Sequence, residues 1–281
     1  MNSQMPPEPF SPELLLEQVL QTFARTPDAR MREIIAAVVR HVHALAREVK
    51  LDSSERRAAV QFLTAVGHKS DQVRQEFELL SDVLGLSSLV ETSSTAEAAT
   101  IQTLTGPFYA PGSPFREFGA SMVERDDGGA AALLRGRVTD VAGKPVPGAV
   151  LDVWQNNSNG LYAIQDPQQP TFNLRGKYTT DTGGRYEIRT IRPVPYTIPD
   201  DGPVGALLQA TGRHPWRAAH IHLLVTASGY PPLTTEVFPA DSDYLDSDAV
   251  FGVAPELIVR FEPGNDGTAV ATFDVVLAPA E

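Results

Sequence analysis

The chain has 281 residues and a formal net charge of −12, and 42% of its residues are hydrophobic and 21% charged. These values are typical of a soluble globular protein with a substantial core. An acidic surface of this kind repels phosphate backbones, which argues against nucleic-acid binding. The chain has no cysteine, so disulfides, thiolate nucleophiles, zinc ribbons and iron–sulfur clusters are excluded. Any bound metal must be held by His, Tyr, Asp or Glu.

No apolar run approaches the ~18 residues that a membrane span requires. The first residues, M-N-S-Q-M-P-P-E-P-F, have neither the basic start nor the apolar stretch of a signal peptide. The sequence therefore predicts a cytoplasmic protein with no membrane insertion.

The chain changes character near residue 105. Residues 1–106 contain 3 of the 21 glycines and 5 of the 23 prolines, and few breakers indicate helix. Helices are predicted from a cap at Asp28, from a capping box at Asp52 and Glu55, and over about Asp71 to Val83. In the helix after Asp28 the apolar residues recur at helical spacing: Met31, Ile34, Ile35, Val38, Val42 and Leu45. We expect a helical region over residues 1–105.

The remainder, residues 106–281, has the pattern of antiparallel β-structure. The segments G-K-Y-T-T-D and R-Y-E-I-R-T-I are joined through T-G-G, which predicts a hairpin. A-A-H-I-H-L-L-V-T-A and L-T-T-E-V-F flank S-G-Y-P-P, and two further strands surround P-G-N-D-G near the end. Roughly eight strands separated by turns indicate a β-sandwich or barrel. The predicted fold class is α+β.

The strongest chemical signal is the H-I-H of His220 and His222. Side chains two apart on a strand share a face, so both imidazoles can turn to one metal ion. Two histidines directed into an apolar interior need partners, and a metal supplies both. His41 and His43 also form H-V-H, but on a helix a two-residue step turns them apart. Both interpretations of His220 and His222, metal ligands or ordinary buried histidines, remain open on the residues alone.

Further ligands are scarce in the β half. His214 lies six residues upstream of His220 in a predicted loop, and a single histidine there or at His68 favours a structural role. Most carboxylates fall in predicted turns, where they serve as turn formers. Tyr162, predicted at the start of a short strand, and Tyr196, in the loop R-P-V-P-Y-T-I-P, remain as ligands or as packing residues. A phenol with a pKa near 10 needs a strongly acidic ion such as Fe(III) to bind as phenolate.

Several segments of the sequence together resemble the intradiol ring-cleaving dioxygenases. They are T-L-T-G-P-F-Y-A-P-G-S-P, V-P-G-A-V-L-D-V-W-Q-N-N-S-N-G-L-Y, the stretch from F-N-L-R-G-K-Y to Y-T-I-P-D-D-G-P, and A-T-G-R-H-P-W-R-A-A-H-I-H-L-L-V-T-A-S-G-Y. The resemblance runs from about residue 76 to residue 262. It implies a Greek-key β-sandwich, an N-terminal helical dimerisation region and one non-haem Fe(III) per subunit.

The resemblance also implies roles for individual residues. The iron ligands would be Tyr162, Tyr196, His220 and His222, and Arg217 would face the substrate ring. A bound diol loses two protons. Tyr196 would leave the iron to take one of them, because its loop and Pro195 leave it room to move, and a hydroxide on the iron would take the other. An arginine beside the ring is suited to stabilising developing negative charge. A salt bridge at the strand end is the alternative role for Arg217.

One position departs from the family pattern. The family usually has a glutamine about 14 residues beyond the second histidine, where this chain has Glu236. A carboxylate there is expected either to pair with Arg217 and weaken the help that this arginine gives to the substrate, or to point away and have no effect.

Two substrate branches compete within the resemblance. The segments D-S-D-Y-L-D-S-D-A-V-F-G-V and L-L-S-D-V-L-G resemble the hydroxyquinol branch more than the catechol branch. The third hydroxyl of 1,2,4-trihydroxybenzene needs a polar partner, which Asp82 would supply, unless Asp82 is merely a solvated helix residue. Leu79, Pro107 and Ile198 would form apolar walls. The expected reaction is cleavage of hydroxyquinol by O₂ to 3-hydroxy-cis,cis-muconate, the tautomer of maleylacetate, and the alternative is cleavage of catechol to cis,cis-muconate.

Two other classes of protein remain as alternatives. One is a non-catalytic, transthyretin-like binding sandwich that has lost its iron site. The presence of residues at all four ligand positions argues against this loss. The other is a cupin-type zinc or ferrous enzyme, for which no third histidine is well placed. The apolar stripes of the N-terminal helices predict a homodimer, or a slot for lipid tails.

Overall fold

The computed structural model describes residues 11–72 and 74–280. The chain forms two compact units, residues 1–65 and residues 66–281. Along the chain, the helices up to Ser93 precede the first strand at Ala131. The domain boundary predicted between residues 105 and 106 remains a prediction.

The first unit contains helices α1 (Pro12–Phe23), α2 (Ala29–Glu48) and most of α3 (Ser53–Lys69). The caps form as predicted. Asp28 Oδ1 accepts the backbone N–H of Met31 at 2.8 Å. Asp52 and Glu55 form a reciprocal capping box, in which each side chain accepts the backbone N–H of the other residue at 2.9 Å.

The helices of the second unit beyond the end of α3 are α4 (Glu76–Val83), α5 (Leu86–Ser93) and α6 (Pro203–Ala210). The prediction that α4 begins near Asp71 is wrong. The Asp71 side chain accepts the backbone N–H of Arg74 at 2.7 Å, which closes a turn and delays the helix to Glu76. None of the helices in residues 11–72 and 74–280 is long and apolar enough to cross a membrane.

The strands form two five-stranded sheets and one small ribbon. The first sheet has the order β10-β11-β1-β12 with β4 also paired to β1, the second has the order β3-β2-β7-β8-β9, and β5 pairs with β6. The strands are β1 (Ala131–Asp140), β2 (Val150–Trp154), β3 (Arg175–Thr179), β4 (Arg185–Ile191), β5 (Tyr196–Thr197), β6 (Trp216–Arg217), β7 (Ile221–Thr226), β8 (Leu233–Pro239), β9 (Ile258–Val259), β10 (Glu262–Pro263), β11 (Ala269–Thr272) and β12 (Val275–Leu277).

Most strand pairs are antiparallel, as predicted, and the α+β class is confirmed. Three pairs among the described residues are parallel, β1 with β11, β1 with β12 and β8 with β9, so the sheets are mixed. β7 and β8, which flank S-G-Y-P-P, pair with each other, and this pairing aligns His222 with Glu236.

The hairpin predicted across T-G-G is wrong. β3 pairs with β2 in one sheet, whereas β4 pairs with β1 in the other. The turn itself binds β1, because the Gly184 carbonyl accepts the backbone N–H of Val138 at 2.7 Å. A Cβ on Gly184 would lie 2.5 Å from the Val138 oxygen, so this close approach requires glycine. The turn therefore transfers the chain from one sheet to the other.

The main core lies between the two sheets, and alternation along β7 divides that strand between two environments. Ile221, Leu223 and Val225 are fully buried in this core. His222 and Leu224 lie on the opposite face, where Trp154, Tyr162 and Tyr196 form a smaller cluster. The predicted histidine pair is buried, but on the far side of the sheet from the sandwich core.

A buried carboxylate joins α4 to α6. Glu76 is fully buried, and its Oε1 accepts the backbone N–H of Val204 in the first turn of α6 at 3.0 Å. Arg74 Nε donates to the other oxygen at 2.7 Å. A Cβ on Gly202 would lie 2.4 Å from Glu76 Oε1, so the carboxylate is tightly enclosed. This contact holds the helix that carries Asp82 against the segment that follows Tyr196.

We predict that Glu76→Ala lowers the free energy of unfolding by about 1–3 kcal/mol, because it leaves the Val204 N–H and the Arg74 guanidinium without their buried partner. Urea unfolding measures the loss. Glu78→Ala on the exposed side of the same helix is the control and should change stability by less than about 0.5 kcal/mol. Equal losses for the two variants would contradict the role of Glu76.

Candidate metal centre

Four predicted ligand residues come together on the outer face of the second sheet. His220 precedes β7, His222 lies within it, Tyr196 opens β5, and Tyr162 lies in the connection between β2 and β3. All four are buried, with exposures of 0% for Tyr162 and 7% for Tyr196 at the two extremes. The prediction that Tyr162 starts a strand is wrong, because the segment after Trp154 is a series of turns.

The polar atoms of these side chains converge. His220 Nε2 lies 3.1 Å from His222 Nε2 and 3.4 Å from the Tyr162 hydroxyl. The Tyr196 ring lies 5.4 Å from the His220 ring and 5.5 Å from the Tyr162 ring, measured between centroids. Side chains from three separate segments therefore direct two imidazoles and two phenols toward one place.

Burial controls the protonation of this cluster. Burial, reinforced by the charge of Arg217, lowers the pKa of His220 and of His222 well below its ordinary value. Both imidazoles are therefore neutral near neutral pH. Burial raises the pKa of Tyr162 well above 10 and also raises the pKa of Tyr196, which the Arg217 charge partly offsets. Without a cation both phenols keep their protons.

The hydrogen bonds of His220 assign its tautomer. The Ala218 carbonyl oxygen lies 2.7 Å from His220 Nδ1, and a carbonyl can only accept, so Nδ1 carries the proton. The lone pair of the neutral ring is then on Nε2, which faces His222 and Tyr162. A backbone carbonyl bound to the remote nitrogen is the arrangement that orients metal-ligating histidines. The donor set therefore fits a metal ion.

Arg217 is buried beside this cluster and is held by two carboxylates. Glu236 accepts from Arg217 Nη1 at 3.0 Å and from Nη2 at 3.3 Å. Asp248 accepts from Nε and from Nη2, both at 3.2 Å. Burial alone lowers the pKa of Arg217, but Asp248 and Glu236 together raise it well above its ordinary value. The guanidinium is a permanent positive charge in the site.

Glu236 lies between Arg217 and the histidines. Its Oε1 is 3.4 Å from His220 Nε2 and 3.4 Å from His222 Nδ1. His220, His222 and Glu236 offer three possible ligand atoms within 4.8 Å of one another. Burial raises the pKa of Glu236, and the Arg217 charge opposes that rise. Of the two arrangements expected for Glu236, pairing with Arg217 is the one that forms.

Aromatic and cationic side chains enclose the ligands. The Trp154 ring stacks on His222 with centroids 4.7 Å apart and planes 6° apart, and Phe108 stacks on Tyr162 at 4.7 Å. Arg175 Nη2 donates to the Phe108 carbonyl at 2.6 Å, which holds this segment over the site. The sequence analysis missed Trp154, Phe108 and Arg175, although all three lie inside the segments that carry the family resemblance.

The expected pocket residues lie on α4, directly after β5 and in the turn that contains Phe108. Asp82 is 9% exposed on α4, and Arg217 is near enough for its charge to lower the Asp82 pKa. Burial is nevertheless the main effect and raises the pKa of Asp82. Leu79 lies one turn earlier and Ile198 follows β5, both buried, whereas Pro107 is exposed in the turn before Phe108.

The remaining histidines behave as expected. His41 and His43 lie on α2 and His68 lies in the last turn of α3. His214 Nδ1 accepts the backbone N–H of Trp216 at 3.2 Å, and its Nε2 lies 3.0 Å from the Ser247 hydroxyl. Both nitrogens of His214 are thus engaged in local structure.

Two family models together match most of the chain. Residues 28–101 match the model described as catechol dioxygenase N terminus, and residues 104–279 match the model described as dioxygenase. The chain belongs to the intradiol ring-cleaving dioxygenase family, and the resemblance identified from the sequence is confirmed. An enzyme of this family has a bound metal.

Similar proteins lie within the hydroxyquinol branch of the family. The 6-chlorohydroxyquinol 1,2-dioxygenase of Cupriavidus pinatubonensis is 45% identical over 267 residues, which cover 94% of this chain and 96% of that protein. A hydroxyquinol 1,2-dioxygenase of Rhizobium sp. is 42% identical, over 92% of this chain and 88% of its own length. The structure of hydroxyquinol 1,2-dioxygenase from Pseudomonas putida DLL-E4 aligns with a TM-score of 0.90 and 44% identity, over 96% of this chain and 99% of that one.

Proposed function

We propose that this protein is an Fe(III)-dependent intradiol dioxygenase that cleaves hydroxyquinol with O₂ to 3-hydroxy-cis,cis-muconate, the tautomer of maleylacetate. The observation that carries the proposal is the convergence of two neutral imidazoles and two phenols beside a buried arginine. The choice of hydroxyquinol over catechol is supported by the names of the similar proteins and by the buried carboxylate of Asp82.

The ligands proposed for one iron per subunit are Tyr162, Tyr196, His220 and His222. Phenols whose pKa is raised by burial bind as phenolates only to a strongly acidic cation, which favours Fe(III) over zinc or Fe(II). A ferric ion held by these residues would lower the pKa of both diol hydroxyls, and the electron-rich dianion left after their deprotonation would be reactive toward O₂. The chain itself must hold the ligands, accept protons and stabilise negative charge.

Tyr196 is proposed to accept one proton from the substrate at its Oη. Burial raises the pKa of Tyr196, so a phenolate released at this position takes up a proton readily from a more acidic diol hydroxyl. Tyr196 lies on the two-residue strand β5, which pairs only with the equally short β6 in the described part of the chain. Tyr162 is fully buried under Phe108 and is the ligand expected to stay in place.

Arg217 is proposed to stabilise the negative charge that develops on the ring and on its oxygens. Its Nη1 lies 3.2 Å from His220 Nε2, the nitrogen that carries the lone pair. A fixed cation in a buried site interacts strongly with developing charge, and it needs no reorganisation during the reaction.

The iron proposal predicts a red to brown protein, because phenolate bound to Fe(III) absorbs visible light. His222→Ala should remove iron and colour together, as measured by metal analysis and absorption spectroscopy. His68→Ala, which changes an exposed histidine in the last turn of α3, is the control and should keep both. A colourless wild type with stoichiometric zinc would contradict the proposal.

The role of Tyr196 predicts different outcomes for the two tyrosines. Tyr196→Phe should retain part of the iron and a shifted band, yet lose turnover by about 100-fold or more, since its proton acceptor is missing. Tyr162→Phe should disturb the band that persists after substrate binds. Resonance Raman spectroscopy follows each phenolate, and displacement of neither one by substrate in the wild type would contradict the assignment.

Asp82 is the residue proposed to select hydroxyquinol. It is buried on α4 without a cationic hydrogen-bond partner in the described structure, and its charged form is stabilised by a hydrogen bond from Ser87 and by the charge of Arg217. A buried carboxylate gains free energy from a substrate hydroxyl that donates to it. A site built to bind a hydroxyl rejects analogues that lack it.

We expect a higher kcat/KM for hydroxyquinol than for catechol in the wild type. Asp82→Ala should lower kcat/KM for hydroxyquinol by about 10- to 100-fold and spare or improve that for catechol. Parallel steady-state assays measure both, with Glu78→Ala on the same helix as control. Equal loss on both substrates would make Asp82 structural, and a wild type that prefers catechol would make this a catechol 1,2-dioxygenase.

A symmetric homodimer formed through the N-terminal helices is also proposed. In the first unit, α2 leaves one apolar stripe exposed by 44–57%, formed by Met31, Ile34, Val38, Val42 and Leu45. A stripe of this size is typical of an interface. A lipid acyl chain bound along the stripe is the alternative to a second subunit. The cytoplasmic location remains a prediction.

Sedimentation velocity at micromolar concentration should show the dimer. Val38→Asp should shift it toward monomer by burying a charge in the interface, whereas Arg40→Ala on the opposite side of α2 should not. A wild-type monomer would contradict the dimer, and lipid extracted from that monomer would assign the stripe to acyl chains.

A further inference from the structure

Arg217 has only one N–H that neither of its carboxylate partners accepts. A guanidinium carries five N–H donors in a rigid fork. Glu236 accepts one from Nη1 and one from Nη2, and Asp248 accepts the one on Nε and the second from Nη2. The fifth belongs to Nη1, which lies 3.2 Å from His220 Nε2. The two carboxylates thus occupy every donor except the one on the side of the proposed metal.

The two carboxylates hold different edges of the fork. Glu236 binds the end of the guanidinium through Nη1 and Nη2. Asp248 binds the side edge through Nε, which is the nitrogen closest to the aliphatic stem. Contacts on two edges of one plane fix its orientation, because neither rotation nor tilting is then possible without breaking a charged hydrogen bond.

The loop that carries Asp248 is itself held in place. Asp248 Oδ2 accepts the backbone N–H of Gly252 at 3.1 Å, and the Ala249 N–H donates to the Trp216 carbonyl beside Arg217 at 3.0 Å. Phe251 has a φ of 58°, which is costly for a bulky residue. The guanidinium of Arg213 lies 4.8 Å over the Phe251 ring and compensates for part of this cost.

Gly252 provides the space in which the network forms. A Cβ at this position would lie 2.6 Å from Arg217 Nη2, 3.0 Å from Glu236 Oε2 and 3.2 Å from Asp248 Oδ2. The glycine backbone therefore forms a wall against all three charged groups. Any larger residue must displace at least one of them.

We propose that Asp248, supported by Gly252, is a positioning residue that aims the remaining N–H of Arg217 into the site. Asp248 does not reach the substrate and acts only through Arg217. The proposal rests on the proposed function, since it assigns the same arginine its orientation. The proposal also gives a role to the segment D-S-D-A-V-F-G-V. Its first acid, Asp246, is exposed, and its second, Asp248, is buried.

The test is steady-state turnover of hydroxyquinol per bound iron, in the full-length iron-loaded protein. Asp248→Asn replaces an acceptor oxygen with an amide NH₂ that faces the N–H donors of Arg217, so hydrogen bonding to Nε and Nη2 of Arg217 is disrupted. We expect kcat per iron to fall about 10- to 100-fold while KM changes less than about threefold. Asp246→Asn, an exposed acid on the same loop, is the matched control and should behave as wild type.

Gly252→Ala tests the same network without changing Asp248 and should produce the same loss of kcat per iron. Its control is Gly67→Ala, where the nearest atom to the new methyl is 3.6 Å away. A double variant then shows whether Asp248 acts through Arg217 or independently of it. Arg217→Gln combined with Asp248→Asn should lose no more kcat than Arg217→Gln alone.

Two results would overturn the inference. One is an unchanged kcat per iron in Asp248→Asn and in Gly252→Ala, with the loss confined to iron content or thermal stability, which would make the network structural. The other is fully additive losses in the double variant, which would make Asp248 independent of Arg217. A wild type that cleaves neither hydroxyquinol nor catechol would instead contradict the proposed function.

Discussion

The alternation of side chains along β7 is the constraint on which the rest of this protein depends. One face of the strand, through Ile221 and Leu223, closes the core between the two sheets, and the other face presents His222. Because successive residues must point to opposite faces, a single strand serves both the stability of the sandwich and the chemistry of the site. A shift of one residue in register would exchange the two sets and remove both functions at once.

Burial on the outer face determines the electrostatics of the site. A position deep under Phe108, Trp154 and the neighbouring turns keeps the imidazoles neutral and the free phenols protonated. The ring nitrogens of His220 and His222 and the Tyr162 hydroxyl then converge on one place. The same exclusion of water makes Arg217 costly to bury unless it is paired, and Glu236 and Asp248 pair it from two directions. Metal affinity and the orientation of the cation thus share one physical cause.

The helices around the site contribute position more than chemistry. Glu76 joins α4 to α6, and α4 carries Asp82 toward Arg217. The departure of Glu236 from the glutamine usual in the family has a structural consequence as well. The Glu236 carboxylate gives Arg217 a second acidic partner beside Asp248. Two carboxylates hold the guanidinium more firmly than one carboxylate and the neutral amide of a glutamine would.

The sequence by itself determined the local structures and the chemistry of individual segments. The caps at Asp28 and Asp52 and the placement of His222 on a strand follow from short-range geometry, which is encoded within a few residues. The proposed ligand role of Tyr162 and Tyr196 came from the family motifs. The residues alone were consistent with either packing or metal ligation.

Tertiary structure alone decided which sheet each strand joined and which charges met. The T-G-G turn has the pattern of a hairpin, yet β4 joins the other sheet because β1 is available there as a partner. Asp248 is one of several acids in its loop, and nothing in the local pattern distinguishes it from the exposed Asp246. Its contact with Arg217 joins residues 31 positions apart, and such long-range pairs are selected by packing rather than by local propensity.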